Sequence, residues 1–273
     1  MTIVHSRLSH QPVASTPCGA RLPTQRRAAA NAIKADAVEL KSAELAQWHR
    51  RCEPWPIAGM AAPGAFRLQA LSIVRRQVAQ GETLFSQGDG HLSLFEICAG
   101  QFKTAYTDRG GRQQITGFHL PGELLGQDGI GTGRHCVGAV AMEAALVCTL
   151  AYDQLGVLCH GTPNLQREFH RLLSRDIVRD QSMMLMLGTE RAQGRVAAFV
   201  LDLTRRLHVG GQSARTIVLR MTREDIGSYL GMTLETVSRT LAKLQADGVL
   251  AIAHRDVRVL DAASLRRLAH SAG

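Results

Sequence analysis

Apolar positions recur at helical spacing through the second half of the chain, and in short runs of β type before it. Leu165, Phe169, Leu172 or Leu173, Ile177, Met184 and Leu187 step by three or four residues, with one gap at Asp180. That spacing predicts one long helix ending near Gly188. Gly161-Thr162-Pro163 opens it, with Thr162 as N-cap and Pro163 at the first helical position. Val196, Phe199, Val200, Leu203 and Leu207 predict a second amphipathic helix over 191–207. Beyond a loop at Val209-Gly210-Gly211-Gln212-Ser213 and a short strand at 215–219, the stretch 221–250 reads as two short helices around a tight turn. Thr222 caps the first helix, with Asp225 three residues on to answer it. Ile226 and Leu230 share its apolar face, and Gly231 suits the left-handed residue that ends it. Thr233 caps the second helix, Gly248 ends it, and Val237, Leu241 and Leu244 line one side. Two β-like runs around His254-Arg255-Asp256 then predict a hairpin, and 262–270 a last short helix.

Upstream, glycine punctuates short β-type runs: Gly81, Gly88, Gly90, Gly100, Gly110-Gly111, Gly117, Gly122, Gly126, Gly129, Gly131 and Gly133. TLFSQGDG, LSLFEICAGQFKTAYTDRGGRQQITGFHL and HCVGAVAMEAALVCTLAY predict the strands of a small antiparallel barrel. Leu68, Leu71 and Val74, after Phe66, predict a short helix leading in. Residues 1–50 are rich in Ala, Arg and Gln with few large apolar side chains, which predicts disorder broken at most by a helix over 28–48.

The two helices at 221–250 with the hairpin behind them form a winged helix-turn-helix. The face of the second helix opposite its apolar side carries Glu235, Ser238, Arg239 and Ala242, short and polar apart from one arginine. Such a face suits the major groove of DNA. Arg239 is the candidate for two hydrogen bonds to guanine O6 and N7, and Glu235 for accepting from a cytosine amino group. Ser238 is placed to meet a neighbouring thymine or adenine. Thr222, Arg223, Thr233 and Lys243 are candidates for phosphate contacts, which set register without reading sequence.

The segment DIGSYLGMTLETVSRTLAKL resembles the recognition segment of the Crp/Fnr bacterial transcription regulators, and the Glu235-x-x-Ser238-Arg239 face is similar to that of the Fnr branch. The resemblance extends through GETLFSQGD and ITGFHLPGELLGQDGIGTG and covers roughly residues 75–262. It implies an α+β architecture: a cyclic-nucleotide-binding-like double-stranded β-roll, a long dimerisation helix and a C-terminal winged helix-turn-helix. The expected division is 1–55 as a largely disordered extension, 56–160 as a sensor-like β-roll, 161–188 as the dimerisation helix and 189–273 as the DNA-binding domain. It further implies a TTGAT-like half-site, RNA polymerase as a protein partner, and an activator in an oxygen, redox or anaerobic-metabolism response. The long helix offers Phe169, Leu173, Ile177, Asp180, Met184 and Leu187 to a second copy of the chain, because a lone half-site binds weakly and two-fold operators are read by two-fold proteins. Paired Asp180 carboxylates would repel across that seam.

Composition narrows the classes. The 273 residues suffice for two domains with tails. A net charge of +9 suits a polyanionic partner. No apolar run is long enough to span a membrane, the N-terminus has no secretory h-region, and six scattered cysteines suit a reduced cytoplasmic protein. No nucleophile–base set, GxxxxGK[ST] loop or HExxH motif is present, so an enzyme is not expected.

Two ligand sites are weighed against the resemblance. In nucleotide-binding members a Gly-Glu pair is followed about ten residues later by Arg-Ser. Here Gly122-Glu123 is followed by Gly133-Arg134-His135, with the arginine one residue out of step and the hydroxyl missing. Cyclic AMP is therefore not expected to bind, and Glu123 and Arg134 are expected to be turn and surface residues. The rival function is a cyclic-nucleotide-binding regulatory module that controls a partner protein, which would need an intact phosphate cassette and no recognition helix. Fnr proteins hold a [4Fe–4S] cluster on three N-terminal cysteines and one in the roll. Cys148 matches the roll position and Cys52 the last N-terminal one, but Ala43 and Ala46 stand at the other two. Four thiolates are needed, so no metal or cofactor is expected, the alternative being an iron–sulfur cluster completed by Cys18 or another thiol. His5, His10 and Cys18 fit no metal-site spacing. Cys98 and Cys148 suit buried apolar positions. Cys52 and Cys148 are the candidate redox thiols.

Overall fold

A computed structural model describes residues 74–161, 163–209 and 216–269. The expected N-terminal extension with its helix over 28–48, the lead-in helix at Leu68 and Leu71, His5, His10, Cys18, Cys52, Thr162 and the loop at 210–213 lie outside these residues.

Glycine-broken strands build two facing four-stranded antiparallel sheets. Their strands are β1 (Val74–Val78), β2 (Thr83–Phe85), β3 (Ser93–Ala99), β4 (Phe102–Thr107), β5 (Gln113–His119), β6 (Leu124–Leu125), β7 (Gly138–Ala141) and β8 (Ala145–Ala151). One sheet has the order β1-β8-β3-β6 and the other β2-β7-β4-β5. Val74 therefore opens a strand and not the expected helix, since its register partner is Thr149. Between the sheets, Val78, Phe85, Ile97, Phe102, Leu125 and Val147 form a closed apolar core. The β3–β4 turn needs glycine: Gly100 has φ +80°, and a Cβ there would meet Ala145 Cβ at 2.6 Å.

Six helices and a second hairpin follow. They are α1 (Tyr152–Gly161), α2 (Pro163–Thr189), α3 (Ala192–Val209), β9 (Thr216–Val218), α4 (Arg223–Leu230), α5 (Leu234–Ala246), β10 (Leu250–Ala253), β11 (Asp256–Val259) and finally a sixth helix, α6 (Ala262–Ala269). The last three strands pair in the order β10-β11-β9, so the wing is a three-stranded sheet. Helix α1 is not among the expected elements: sequence periodicity starts the helix after the roll at Gly161, but Leu155 turns into a cluster with Leu94, Leu124 and Leu150 of the roll.

Helix α2, about 40 Å long at 1.5 Å per residue, has two faces where one stripe was expected. Leu165 and Phe169 are buried against that roll cluster, with Leu172 and Leu173 packed at its edge. Phe169, expected in a dimer seam, is instead covered by its own chain. Ile177, Val178, Met184 and Leu185 lie on another face and are 57–67% exposed. Period alone cannot separate two apolar faces that share a helix and change partners along it.

The third apolar cluster fills the winged domain and continues into β5. Val200, Leu203, Ile226, Leu230, Val237, Leu244 and Leu265 join Ile115 and Phe118 in it. At the join Tyr229 sets its ring 5.1 Å from Phe118 and 5.9 Å from Phe199.

His119, at the end of β5, is buried and shares a 3.0 Å hydrogen bond with Thr104 Oγ1. Its Nδ1 is buried without a hydrogen-bond partner. Burial drives its pKa down to about 3, whereas an unfolded chain takes up this proton near about 6.5. A depressed folded value means stability is present above the unfolded pKa and is lost as pH falls towards 3. The expected slope is roughly 1.4 kcal/mol per pH unit for one proton. Urea titrations at pH 7 and pH 5 should show wild type losing about 2 kcal/mol more than His119→Gln over that interval. Equal losses would show that His119 is not the group responsible.

Candidate nucleic-acid interface

The two helices of the recognition unit are set by local chemistry. Thr222 Oγ1 accepts the Asp225 N–H at 3.0 Å, and Asp225 accepts the Thr222 N–H at 3.0 Å, which completes the capping box. Gly231 ends α4 in the left-handed region with φ 63°. Thr233 then caps α5 by accepting the Thr236 N–H at 3.2 Å. One residue of this corner escaped sequence reasoning. A Cβ on Gly227 would stand 2.7 Å from the Met232 carbonyl oxygen, so the crossing of α4 over the turn needs glycine there. A glycine four residues before the turn glycine is the available signal.

Helix α5 divides as its spacing predicts. Val237, Leu241 and Leu244 are buried, together with Thr240, which the apolar pattern does not include. Glu235, Ser238, Arg239, Ala242 and Lys243 are exposed. Glu235 sits in the first turn, where its own backbone N–H and then the Thr233 hydroxyl hold its carboxyl below the usual carboxylate range. It is therefore an anion at neutral pH, able to accept from a base amino group but not to donate. Arg239, one turn on, brings the donors. Thr222 and Thr233 are exposed at the two caps. Arg223 is less available than a phosphate-contact residue should be: it is half-buried, and its Nη1 is buried without a hydrogen-bond partner.

The roll holds this unit through polar contacts. Lys103 Nζ donates to Asp225 Oδ1 at 2.6 Å, and the Ile115 N–H donates to Ser228 Oγ at 2.9 Å. Gln114 donates to the Ser228 carbonyl, and Arg220 pairs with Glu143 at 3.0 Å. On the other side Arg195 Nη1 donates to the Leu230 carbonyl at 3.0 Å, Nη2 to the Leu187 carbonyl at 2.7 Å and Nε to the Glu190 carbonyl at 2.9 Å. One guanidinium thus ties the end of α2 to the end of α4. Leu187, expected in a dimer seam, is half-buried beside this tie.

Glu123 closes the turn at Pro121-Gly122, its N–H donating to the Leu120 carbonyl at 3.1 Å, but its side chain is no free surface group. Arg206 of α3 donates to both its oxygens, Nε at 2.8 Å and Nη2 at 2.7 Å, and Arg179 of α2 approaches at 3.4 Å. Burial alone would raise the Glu123 carboxyl, but Arg206 and Arg179 outweigh it and keep it ionised. Arg206 also donates to the Phe118 carbonyl at 2.5 Å and to Asp202 at 3.1 Å. The carboxylate that takes a ribose hydroxyl in nucleotide-binding rolls is here fully engaged by arginines. Arg134 is exposed as expected and donates to the Gly88 carbonyl at 2.8 Å. Its neighbour His135 is buried, stacked at 3.8 Å on Phe85 and 3.2 Å from Asp128.

Of the candidate redox thiols, Cys148 lies mid-strand in β8 with its Sγ 2.9 Å from Cys98 Sγ. Both are half-buried and not the enclosed apolar side chains expected. The Cys98 hydrogen bond, and next the Arg75 charge, lower the Cys148 thiol to about 6 against the opposing effect of burial. Across the strand, burial and then the Cys148 charge raise the Glu96 carboxyl to about 8. Among the described residues no group of three or more His, Cys, Asp or Glu gathers as metal ligands.

Two family descriptions match the chain: a cyclic nucleotide-binding domain over residues 75–161 and a Crp-like helix-turn-helix domain over residues 194–268. The transcriptional activator protein FnrA of Stutzerimonas stutzeri is 39% identical over 233 residues, spanning 83% of this chain and 96% of that protein. The transcriptional regulatory protein btr of Bordetella pertussis is 40% identical over 210 residues, 77% of this chain and 87% of its own. The fumarate and nitrate reduction regulatory protein of Escherichia coli is 41% identical over 195 residues, 71% of this chain and 78% of its own. Among solved structures, FixK2 from Bradyrhizobium japonicum superposes with a TM-score of 0.68 at 28% identity, over 74% of this chain and all of that one.

Proposed function

Since the chain belongs to the Crp/Fnr family of DNA-binding transcription regulators, we propose that it binds, as a homodimer, a palindrome of two TTGAT-like half-sites about one helical turn apart. The observation that carries this reading is the exposed face of α5, where Glu235, Ser238 and Arg239 stand clear of the protein beside a fully capped turn. Arg239 reads guanine through O6 and N7, Glu235 takes a cytosine amino proton, and Ser238 meets the neighbouring base. Thr222, Thr233 and Lys243 set the register on phosphates, with Arg223 a lesser contributor because of its burial.

The second copy docks on the α2 face that bears Ile177 and Met184. Among the described residues, this face, unlike the Phe169 face, is left uncovered. Asp180 is exposed at the border between the two faces. Burial raises its carboxyl while Arg179 lowers it, the net shift being upward.

RNA polymerase is the protein partner this reading implies, in the cytoplasm, for an activator in an oxygen or redox response. Relatives that carry fumarate and nitrate reduction in their names support that response. The regulator works without an iron–sulfur cluster, because Ala43 and Ala46 stand where two ligands would be needed. It also works without cyclic AMP, because Glu123 is held by Arg206 and Arg179. That engagement disfavours the nucleotide-binding module as a second reading.

Fluorescence anisotropy on a duplex with two inverted TTGAT half-sites tests the reading. Specific binding should vanish when about half a helical turn, roughly five base pairs, is inserted between them. Equal affinity for the two duplexes would overturn the dimeric reading of the operator. In sedimentation the Asp180→Ala variant should show a larger dimer fraction than wild type; an unchanged or smaller fraction removes Asp180 from the seam.

A further inference from the structure

The outward face of the β1-β8-β3-β6 sheet brings four chemically related side chains together. In β8, Cys148 is the register partner of Arg75 on one side and of Glu96 on the other. The neighbouring positions Val147 and Ile97 are fully buried in the roll core, so Arg75, Glu96 and Cys148 point the opposite way. Cys98 joins them through an irregularity in the ladder. The register of β3 against β8 shifts between Ile97 and Ala99, at Cys98. That bulge re-aims the Cys98 side chain towards Cys148, and the two sulfurs lie 2.9 Å apart.

We propose that Cys98 and Cys148 form an oxidisable dithiol in the β-roll, which hydrogen peroxide converts to an interstrand disulfide. This deepens the redox reading above and rests on it in taking the oxidant as a signal, whereas the bond itself does not depend on DNA binding.

The chemistry needs a thiolate, a second thiol in reach and access to a small oxidant. Arg75 is the cation beside Cys148, and both thiols are half-buried instead of enclosed. The Cys148 thiol ionises, and its sulfur attacks one peroxide oxygen. The O–O bond breaks, and the departing hydroxide takes the released proton and leaves as water. Cys148 is now a sulfenic acid. Cys98 gives up its proton while its sulfur attacks the Cys148 sulfur. The S–O bond breaks, the S–S bond forms, and the hydroxide leaves with that proton as a second water. Two thiols lose two electrons and one peroxide gains them. Closure from 2.9 Å to a bonded separation of about 2.05 Å moves the sulfurs by less than about 1 Å, which a bulge can absorb. Cys136 is exposed and hydrogen-bonds to the Asp128 carbonyl, and Cys159 lies on α1, so neither shares this face.

The test uses the full chain, purified reduced and freed of reductant, with one equivalent of hydrogen peroxide. Two alkylatable thiols per chain should be lost and be regained with dithiothreitol. Unreduced tryptic digestion should join the peptides 77–103 and 135–167, with fragmentation placing the link at Cys98 and Cys148. In Cys98→Ser the link should be absent, and Cys148 should instead be trapped by dimedone as its sulfenic acid. The wild-type readouts stand even where that variant does not fold. Both thiols remaining alkylatable, or Cys148 recovered linked to any cysteine other than Cys98, would overturn the proposal. Failure of the palindrome to bind, with the 98–148 link present, would count against the DNA reading and leave the dithiol in place.

Discussion

Arg239→Ala should weaken binding to a TTGAT-type palindrome by about 30-fold to 10⁴-fold while leaving the thermal unfolding midpoint near that of wild type. The range follows from losing one bidentate base contact worth roughly 1–3 kcal/mol in each of two half-sites. The fold should not notice, because Arg239 is exposed and no described contact of the α4–α5 corner runs through it. Specificity should relax as well: the variant should discriminate less between the palindrome and a duplex changed at the guanine, since the phosphate contacts remain. Lys243→Ala should behave differently, losing affinity evenly across sequences and lowering the salt dependence. Wild-type affinity in Arg239→Ala would mean that another face of α5 enters the groove.

That helix and its corner were legible because their signals are short-range. The caps at Thr222 and Thr233, the partner at Asp225 and the turn glycine at Gly231 act over three or four residues, so the sequence itself contains the interaction. Glycine spacing marked the strand ends for the same reason. What escaped depends on which surface meets which. Phe169 and Ile177 both belong to the apolar spacing of α2, yet one packs on the roll and the other stays exposed. Helix α1 has only Leu155 and part-buried neighbours to announce it, with Gly156 and His160 within it. The Cys98–Cys148 approach spans 50 residues and depends on a bulge, while Glu123 meets Arg206 across 83. Neither pairing leaves a local trace.

Arg206→Ala should be the most destabilising single change of a charged residue in the described chain, lowering stability by about 3 kcal/mol in urea titration at pH 7. Removing one member of a buried pair leaves its partner's charge without compensation. Here the partner is Glu123, and the Phe118 carbonyl and Asp202 lose their donor as well. Arg179, at 3.4 Å, remains to Glu123 and keeps the loss at the lower end of the range for such deletions. The double variant Glu123→Gln, Arg206→Met should recover part of it, because neither charge is then stranded. A loss below about 1 kcal/mol in Arg206→Ala would show that Arg179 alone suffices.

The Arg195 tie between α2 and α4 sets a scale for the whole assembly. A planar guanidinium reaching three carbonyls has one arrangement that satisfies them all, so the bearing of α4, and of α5 behind it, is fixed relative to the last turn of α2. If α2 pairs with its copy, the gap between two recognition helices becomes a dimension of the α2 pair instead of a loop property. A slight roll or slide of one α2 along the other would then open or narrow that gap like the jaws of a calliper. DNA offers its grooves at a fixed pitch, so a displacement of a few ångströms at the α2 pair separates a setting that fits from one that does not.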